Sequence, residues 1–212
     1  MRKFTADFET NVDEKDCRVW AWAVCEIGNV DLFKYGNSLE SFIEWCSNKK
    51  YNYVLYFHNL KFDGEYIFNY LLKNGYELIT DKKLKRDKTF TCLISGMGQF
   101  YSIEIYFKVG KRKVNKVVIY DSLKLINKSV DQIAKDFNLP INKLNLDYKR
   151  IRPKGYELQD YEKRYIKHDV LIMALALESL FKEGLTKMTI GSNALANYRK
   201  MTKYFMTYFP EL

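Results

Sequence analysis

The sequence predicts an α/β fold, on three observations. The opening third mixes short β-branched and aromatic runs with stretches of helical spacing. "YNYVLYF" (51–57) is a nearly continuous apolar run, as a central strand reads when both its faces are covered. A long helix runs from about Gln159 to Gly184, and its Val170–Leu177 portion is almost wholly apolar, so it is buried.

Each element has its own signal. Lys3–Phe8 reads as the first strand. Arg18–Ile27 is aromatic and branched, and Gly28-Asn29 turns it into Val30–Tyr35. Ser38 is a natural N-cap for a helix carrying Leu39, Phe42, Ile43 and Cys46 at helical spacing. After strand 51–57 the expectation is a helix from about Asp63 to Lys73, stopped by Asn74-Gly75. Thr89–Ser95 and Gln99–Val109 alternate like a hairpin, and "VGKRKVNK" is a basic turn into the strand "KVVIYDSL". Ser129–Phe137 reads as a helix, residues 138–156 as irregular and basic, and Ser192 as the cap of a last helix through Met206. With no repeat or linker, 212 residues suit one domain.

The composition narrows the function classes. Apolar content of 47% and aromatic content of 16% exclude a disordered chain. No apolar run approaches a membrane span, and Met1-Arg2-Lys3 leads into a strand rather than a signal peptide; the expectation is a protein of the cytoplasm with no membrane partner. Cys17, Cys25, Cys46 and Cys92 show no C-x-x-C spacing, so reduced thiols are expected. With only His58 and His168 as imidazoles, any metal would be held by oxygen. A net charge of +9 with 17 Tyr and 14 Phe suits single-stranded nucleic acid, where cations track phosphates and rings stack on bases; a merely soluble basic surface is the alternative.

Carboxylates stand in three notable places. In an extended strand Phe4, Ala6 and Phe8 share one face, and Thr5, Asp7 and Glu9 share the other. That second face is either the wet side of a half-exposed strand or a pair of ligands for a divalent cation. Asp63 follows strand 51–57, where ligands gather in open α/β sheets, although an acid near a helix N-terminus needs no ligand to explain it. Tyr165 and Asp169 are one turn apart on the long helix, and Asp169 at the margin of its buried part requires a cation or good hydrogen bonds. Arginine, lysine or a metal would each serve. Taken together, four carboxylates are what two hard divalent ions need.

This order of motifs resembles the three exonuclease motifs of the proofreading domains of family-B DNA polymerases. Tyrosine four residues before the last aspartate marks that subclass; the histidine type would place histidine where Arg164 stands. "CRVWAWAV", "YGNSLESFIEW", "LYFHNLKFDGEYI", "VIYDSLK", "IAKDFNL", "RPKGY" and "GLTKMTIGS" resemble successive segments of the exonuclease domain of protein-primed bacteriophage DNA polymerases, over nearly the whole chain. The resemblance implies a ribonuclease-H-like exonuclease fold, a mixed β-sheet flanked by helices. It also implies a 3′–5′ exonuclease that edits primer ends in a bacterial host cell. Residues 1–189 would be the exonuclease domain, and 190–212 a helical segment leading toward a polymerase domain. Because the resemblance stops at Leu212, the expectation is a chain that does not extend a primer, acting as a monomer.

On this resemblance Asp7, Glu9, Asp63 and Asp169 hold two Mg²⁺ or Mn²⁺ ions roughly 4 Å apart, with Asp7 between them. Tyr165 orients the attacking water and Lys143 stabilises charge at the scissile phosphate. The single-strand ligands fall on Thr10, His58, Asn59, Phe62, Ser122, Leu123 and Tyr148. Tyr66 stands where the family tends to carry phenylalanine, and Lys128 where a strand-binding ring is expected. The expected partners are the 3′ end of single-stranded DNA, a priming terminal protein or a polymerase domain in trans. The alternative is a module that grips single strands or the priming protein without cutting.

Overall fold

The computed structural model describes residues 1–13, 15–47, 52–109 and 113–211. Eight strands form one mixed sheet in the order β3-β2-β1-β4-β8-β7-β6-β5. These are β1 (Arg2–Thr10), β2 (Val19–Glu26), β3 (Asn29–Gly36), β4 (Tyr53–Phe57), β5 (Glu77–Leu78), β6 (Thr89–Ile94), β7 (Phe100–Val109) and β8 (Lys113–Asp121). β1 pairs antiparallel with β2 and parallel with β4, which pairs parallel with β8. The helices are α1 (Leu39–Cys46), α2 (Leu60–Lys73), α3 (Val130–Asp136), α4 (Asp160–Lys182), α5 (Ile190–Met201) and α6 (Phe205–Tyr208). This is the α/β, helix-flanked mixed sheet expected of a ribonuclease-H-like fold. No helix among the described residues is long and apolar enough to cross a membrane.

Two layers cover the sheet. On one face Phe4 and Phe8 of β1, with Phe57 of β4, share a core with Phe42 of α1 and Ile67 and Leu71 of α2. Phe8 makes edge-to-face contacts with Phe42 at 4.8 Å and Phe57 at 4.9 Å, a geometry that adds about 0.5–1.5 kcal/mol per pair beyond burial. On the other face α4 lies over β1 and β2, where Ala21, Ala23 and Cys25 meet Ile166, Val170 and Ala174. β1 is therefore not half-exposed. Thr5 is buried, its hydroxyl donating to the Val170 carbonyl at 2.7 Å, and Glu9 is buried beside it. Strand pattern alone cannot say that a distant helix returns to cover the polar face.

β4, buried at every residue, sits at the sheet centre as its apolar run predicts; Tyr51 of that run lies outside the described residues. So do Gly110–Arg112 of the basic turn. α2 begins at Leu60 rather than near Asp63, because Asn59 takes a left-handed conformation (φ 69°) that starts the helix early and leaves Asp63 in its first turn. α4 opens with a capping box: the Glu162 carboxylate accepts from the Gln159 backbone while the Gln159 side chain serves the third helical residue. α5 starts under Thr189, whose hydroxyl accepts from Ser192 N, so Ser192 is inside the helix rather than its cap. It ends at Met201, and left-handed Tyr204 (φ 58°) separates it from the single turn of α6. The two-residue β5 carries no periodicity to be read.

Candidate active site

Asp7 and Glu9 occupy the same face near the end of β1, and α4 brings Asp169 over them. One carboxylate oxygen from each of Asp7, Glu9 and Asp169 lies within 4.8 Å of the others. Asp63 enters from the first turn of α2; it too is buried, and its charge is felt by Glu9, as that of Asp7 is felt by Asp63. The fold thus converges four acids from three elements.

The irregular segment before α4 supplies the cation. Lys143 Nζ donates to Asp169 Oδ2 at 2.9 Å, while Asp169 Oδ1 is buried without a hydrogen-bond partner among the described residues. One lysine cannot balance four acids. Burial and the charge of Asp169 push Asp7 up to about 7. Burial and the charges of Asp7 and Asp169 hold Glu9 well above the usual carboxylate range, and burial with Asp7 does the same for Asp63. Burial alone would lower Lys143, but the charge of Asp169 outweighs it and keeps the ammonium above its ordinary value. An all-oxygen donor set, an orphaned carboxylate oxygen and surplus negative charge fit hard divalent cations.

Tyr165 stands one turn before Asp169 with its ring buried, and its hydroxyl meets that of Tyr148 at 2.6 Å. Burial, then the charges of Glu9 and Asp169, oppose its ionisation, so it stays a neutral donor. Tyr148 is 47% exposed and forms part of the wall of a cleft of about 300 Å³, together with Asp7, Glu9, Thr10, Lys143, Tyr165 and Asp169.

The other expected strand contacts divide into two groups. Thr10 lines the cleft, and the Tyr66 hydroxyl lies 2.9 Å from Cys17 Sγ. Phe62 is 66% exposed, so its ring is not spent on helix packing. By contrast, His58 has both ring nitrogens engaged within the chain, Nδ1 with Ser122 Oγ at 3.1 Å and Nε2 with the Lys128 carbonyl at 2.7 Å. Burial keeps its pKa low. Ser122 is fully buried with its hydroxyl donating to the Phe57 carbonyl at 2.9 Å, and Leu123 is half-buried. Lys128 pairs with Asp136, and half-buried His168 contacts the Asn142 carbonyl.

Sequence reasoning missed Asp121. It ends β8, is buried, and through Oδ1 accepts from the backbone N–H of both Asn59 and Leu123 at 3.0 Å. One carboxylate thereby fixes the start of α2, and with it the placement of Asp63. A single acid closing the apolar run "VVIYD" was the only available signal.

Residues 45–157 match the family model described as DNA polymerase type B, organellar and viral. The DNA polymerase of Bacillus phage Nf is 45% identical over 214 residues, and that of Bacillus phage phi29 is 44% identical; each alignment covers 100% of this chain and 36% of the relative. The Streptococcus phage Cp-1 DNA polymerase is 29% identical over 226 residues. Among solved structures, phi29 DNA polymerase complexed with single-stranded DNA superposes with a TM-score of 0.89 at 40% identity, covering 97% of this chain and 36% of that one. The chain thus spans about a third of the length of the relatives it matches, and it belongs to the organellar and viral type B DNA polymerase family.

Proposed function

We propose that this chain is a 3′–5′ exonuclease that removes terminal nucleotides from single-stranded DNA, the proofreading part of a protein-primed phage DNA polymerase. The observation that carries this reading is the convergence of Asp7, Glu9 and Asp169 within 4.8 Å, with Asp63 buried beside them and Lys143 paired with Asp169. A pure binder gains nothing from mutually repelling buried acids. The likeness to phi29 DNA polymerase complexed with single-stranded DNA supports the choice of substrate.

The terminal phosphodiester is cut by water: an O–P bond forms, the bond to the 3′-oxygen breaks, and a nucleoside 5′-monophosphate leaves a new 3′-hydroxyl. Two Mg²⁺ or Mn²⁺ ions on Asp7, Glu9, Asp63 and Asp169 would supply Lewis-acid activation of the water and charge stabilisation at the leaving oxygen. Tyr165, kept neutral, holds the water by its hydroxyl, and Tyr148 fixes that hydroxyl. Lys143 adds positive charge near the phosphate. Phe62 and Tyr148 offer exposed rings to the terminal bases, Thr10 lines the cleft they approach, and Tyr66 lines the groove beside Cys17 and Arg18. His58, Asn59, Ser122 and Leu123 shape the strand path, His58 and Ser122 through the contacts that hold the β4 and β8 ends together. We assign residues 1–189 to this unit and 190–212 to the connection with a polymerase part. The unit works as a monomer in the host cytoplasm, with a priming protein or polymerase part as partner.

The test is a 5′-labelled oligonucleotide incubated with Mg²⁺ or with chelator. A ladder shortening from the 3′ end, abolished by chelator, is the expected result. Retention of the oligonucleotide without any shortening would make the chain a binding module.

A further inference from the structure

Arg152 is 1% exposed, and its partner Glu162 is equally buried, with Arg152 Nε donating to Glu162 Oε1 at 2.9 Å. Buried ion pairs are weak evidence of stability, since apolar side chains of similar volume often serve as well. This pair also leaves Arg152 Nη2 buried without a hydrogen-bond partner among the described residues. Its position offers a stronger reason for it. Arg152 Nη1 donates to the Asp147 carbonyl at 2.9 Å and to the Arg150 carbonyl at 2.8 Å, the two carbonyls on either side of Tyr148 and Lys149. The guanidinium lies over the Trp20 ring of β2, 4.2 Å from its centre. Its own backbone is tied to β1's continuation, the N–H donating to Asn11 Oδ1 at 3.3 Å and the carbonyl accepting from Asn11 Nδ2 at 3.0 Å. Glu162 stands on α4 one turn before Tyr165, locked there by the capping box.

From this we infer that Arg152 is a positioning residue for the hydrolysis proposed above: it clasps the turn bearing Tyr148 to the helix bearing Tyr165 and so sets the 2.6 Å contact between their hydroxyls. Only a planar fork reaches two carbonyls and a carboxylate at once; lysine, a point donor on a flexible stem, cannot. The inference rests on the hydrolytic reading, and the test keeps the two apart.

The experiment compares wild type, Arg152→Lys, Tyr148→Phe and the double variant on a 5′-labelled oligonucleotide with Mg²⁺. Arg152→Lys should lower kcat about tenfold to a hundredfold, the cost of misplacing one reacting group by roughly 1 Å, with KM little changed. In the Tyr148→Phe background the same change should cost about twofold or less, because the contact it sets is already gone. Equal losses in both backgrounds, or no loss at all, would overturn the inference. Arg152→Met combined with Glu162→Leu guards against misfolding, since it removes the fork without stranding a charge, and it should show the same dependence on Tyr148. If wild type yields no ladder, the hydrolytic reading fails, and limited trypsin digestion then decides the clasp. Faster cleavage after Lys149 and Arg150 in the Met/Leu variant supports it, and unchanged cleavage refutes it.

Discussion

Glu162 and Asp169 lie two turns apart on α4, both almost completely buried, and their surroundings are opposite. Glu162 accepts from the Gln159 backbone, from Arg152 and from Tyr161, and the Gln159 N–H and the Arg152 guanidinium help hold its carboxyl below its ordinary value despite burial. Asp169 has one lysine on one oxygen, no hydrogen-bond partner among the described residues on the other, and faces Asp7 and Glu9, which are pushed upward. Burial of an acid is therefore not the mark of a site. What separates the two is how far the protein supplies the compensating charge itself: Arg152 matches Glu162 one for one, whereas at Asp169 Lys143 faces a cluster of four acids.

The largest effect expected from this contrast is on catalysis. Asp7→Ala or Asp63→Ala should lower hydrolysis by several orders of magnitude while the circular dichroism spectrum is unchanged. The metal-free variant should melt higher than wild type, because an acid leaves a repelling cluster. At the other end of α4 the same change does the reverse. Glu162→Ala strands a buried guanidinium and should cost about 3–5 kcal/mol in denaturant titration. If both variants simply lose stability, the contrast is broken.

Tyr165→Phe sharpens it further, since ring and packing remain and the hydroxyl is lost. Activity should fall roughly tenfold to a thousandfold, with Mn²⁺ affinity nearly unchanged. A fully active variant would return Tyr165 to a packing role. A smaller effect concerns pH. Folded Asp7 holds its proton up to about pH 7, whereas the unfolded chain releases it near 3.8. The folded state then binds more protons in that interval, so metal-free stability falls as pH rises from about 4 to 7. Melting temperatures in chelator across that range should show the decline, and Asp7→Asn should lessen it, leaving the part due to Glu9 and Asp63. The smallest effect belongs to an exposed pair: Asp131→Ala, which removes the contact to Lys135 at 2.6 Å, should change stability by less than about 0.5 kcal/mol.

What was legible in the sequence follows the same division. Asp7 and Glu9 on one strand face, and Tyr165 and Asp169 on one helical turn, are set by local periodicity, and the structure brings Asp7, Glu9 and Asp169 together. The expected breadth of α4 and the central placement of β4 were likewise local matters. The clasp was not legible, because Asn11 and Arg152 meet across 141 positions and nothing in "IRPKGY" marks the arginine as buried. Asp121 was hidden for the same reason, its partner Asn59 lying 62 positions away. Local pattern left the polar face of β1 open between a wet surface and a ligand pair, because its cover, α4, comes from the far end of the chain.

The decisive measurement is the melting temperature of the metal-free protein titrated with Mn²⁺, for wild type and Asp7→Ala side by side. An ion that binds only the folded state raises stability with its concentration, by about 2.7 kcal/mol at a hundredfold excess over Kd. Wild type should begin lower than Asp7→Ala and climb as Mn²⁺ neutralises the cluster, while the variant stays nearly flat. A wild-type protein indifferent to Mn²⁺ would contradict the assignment of these four acids to divalent metal.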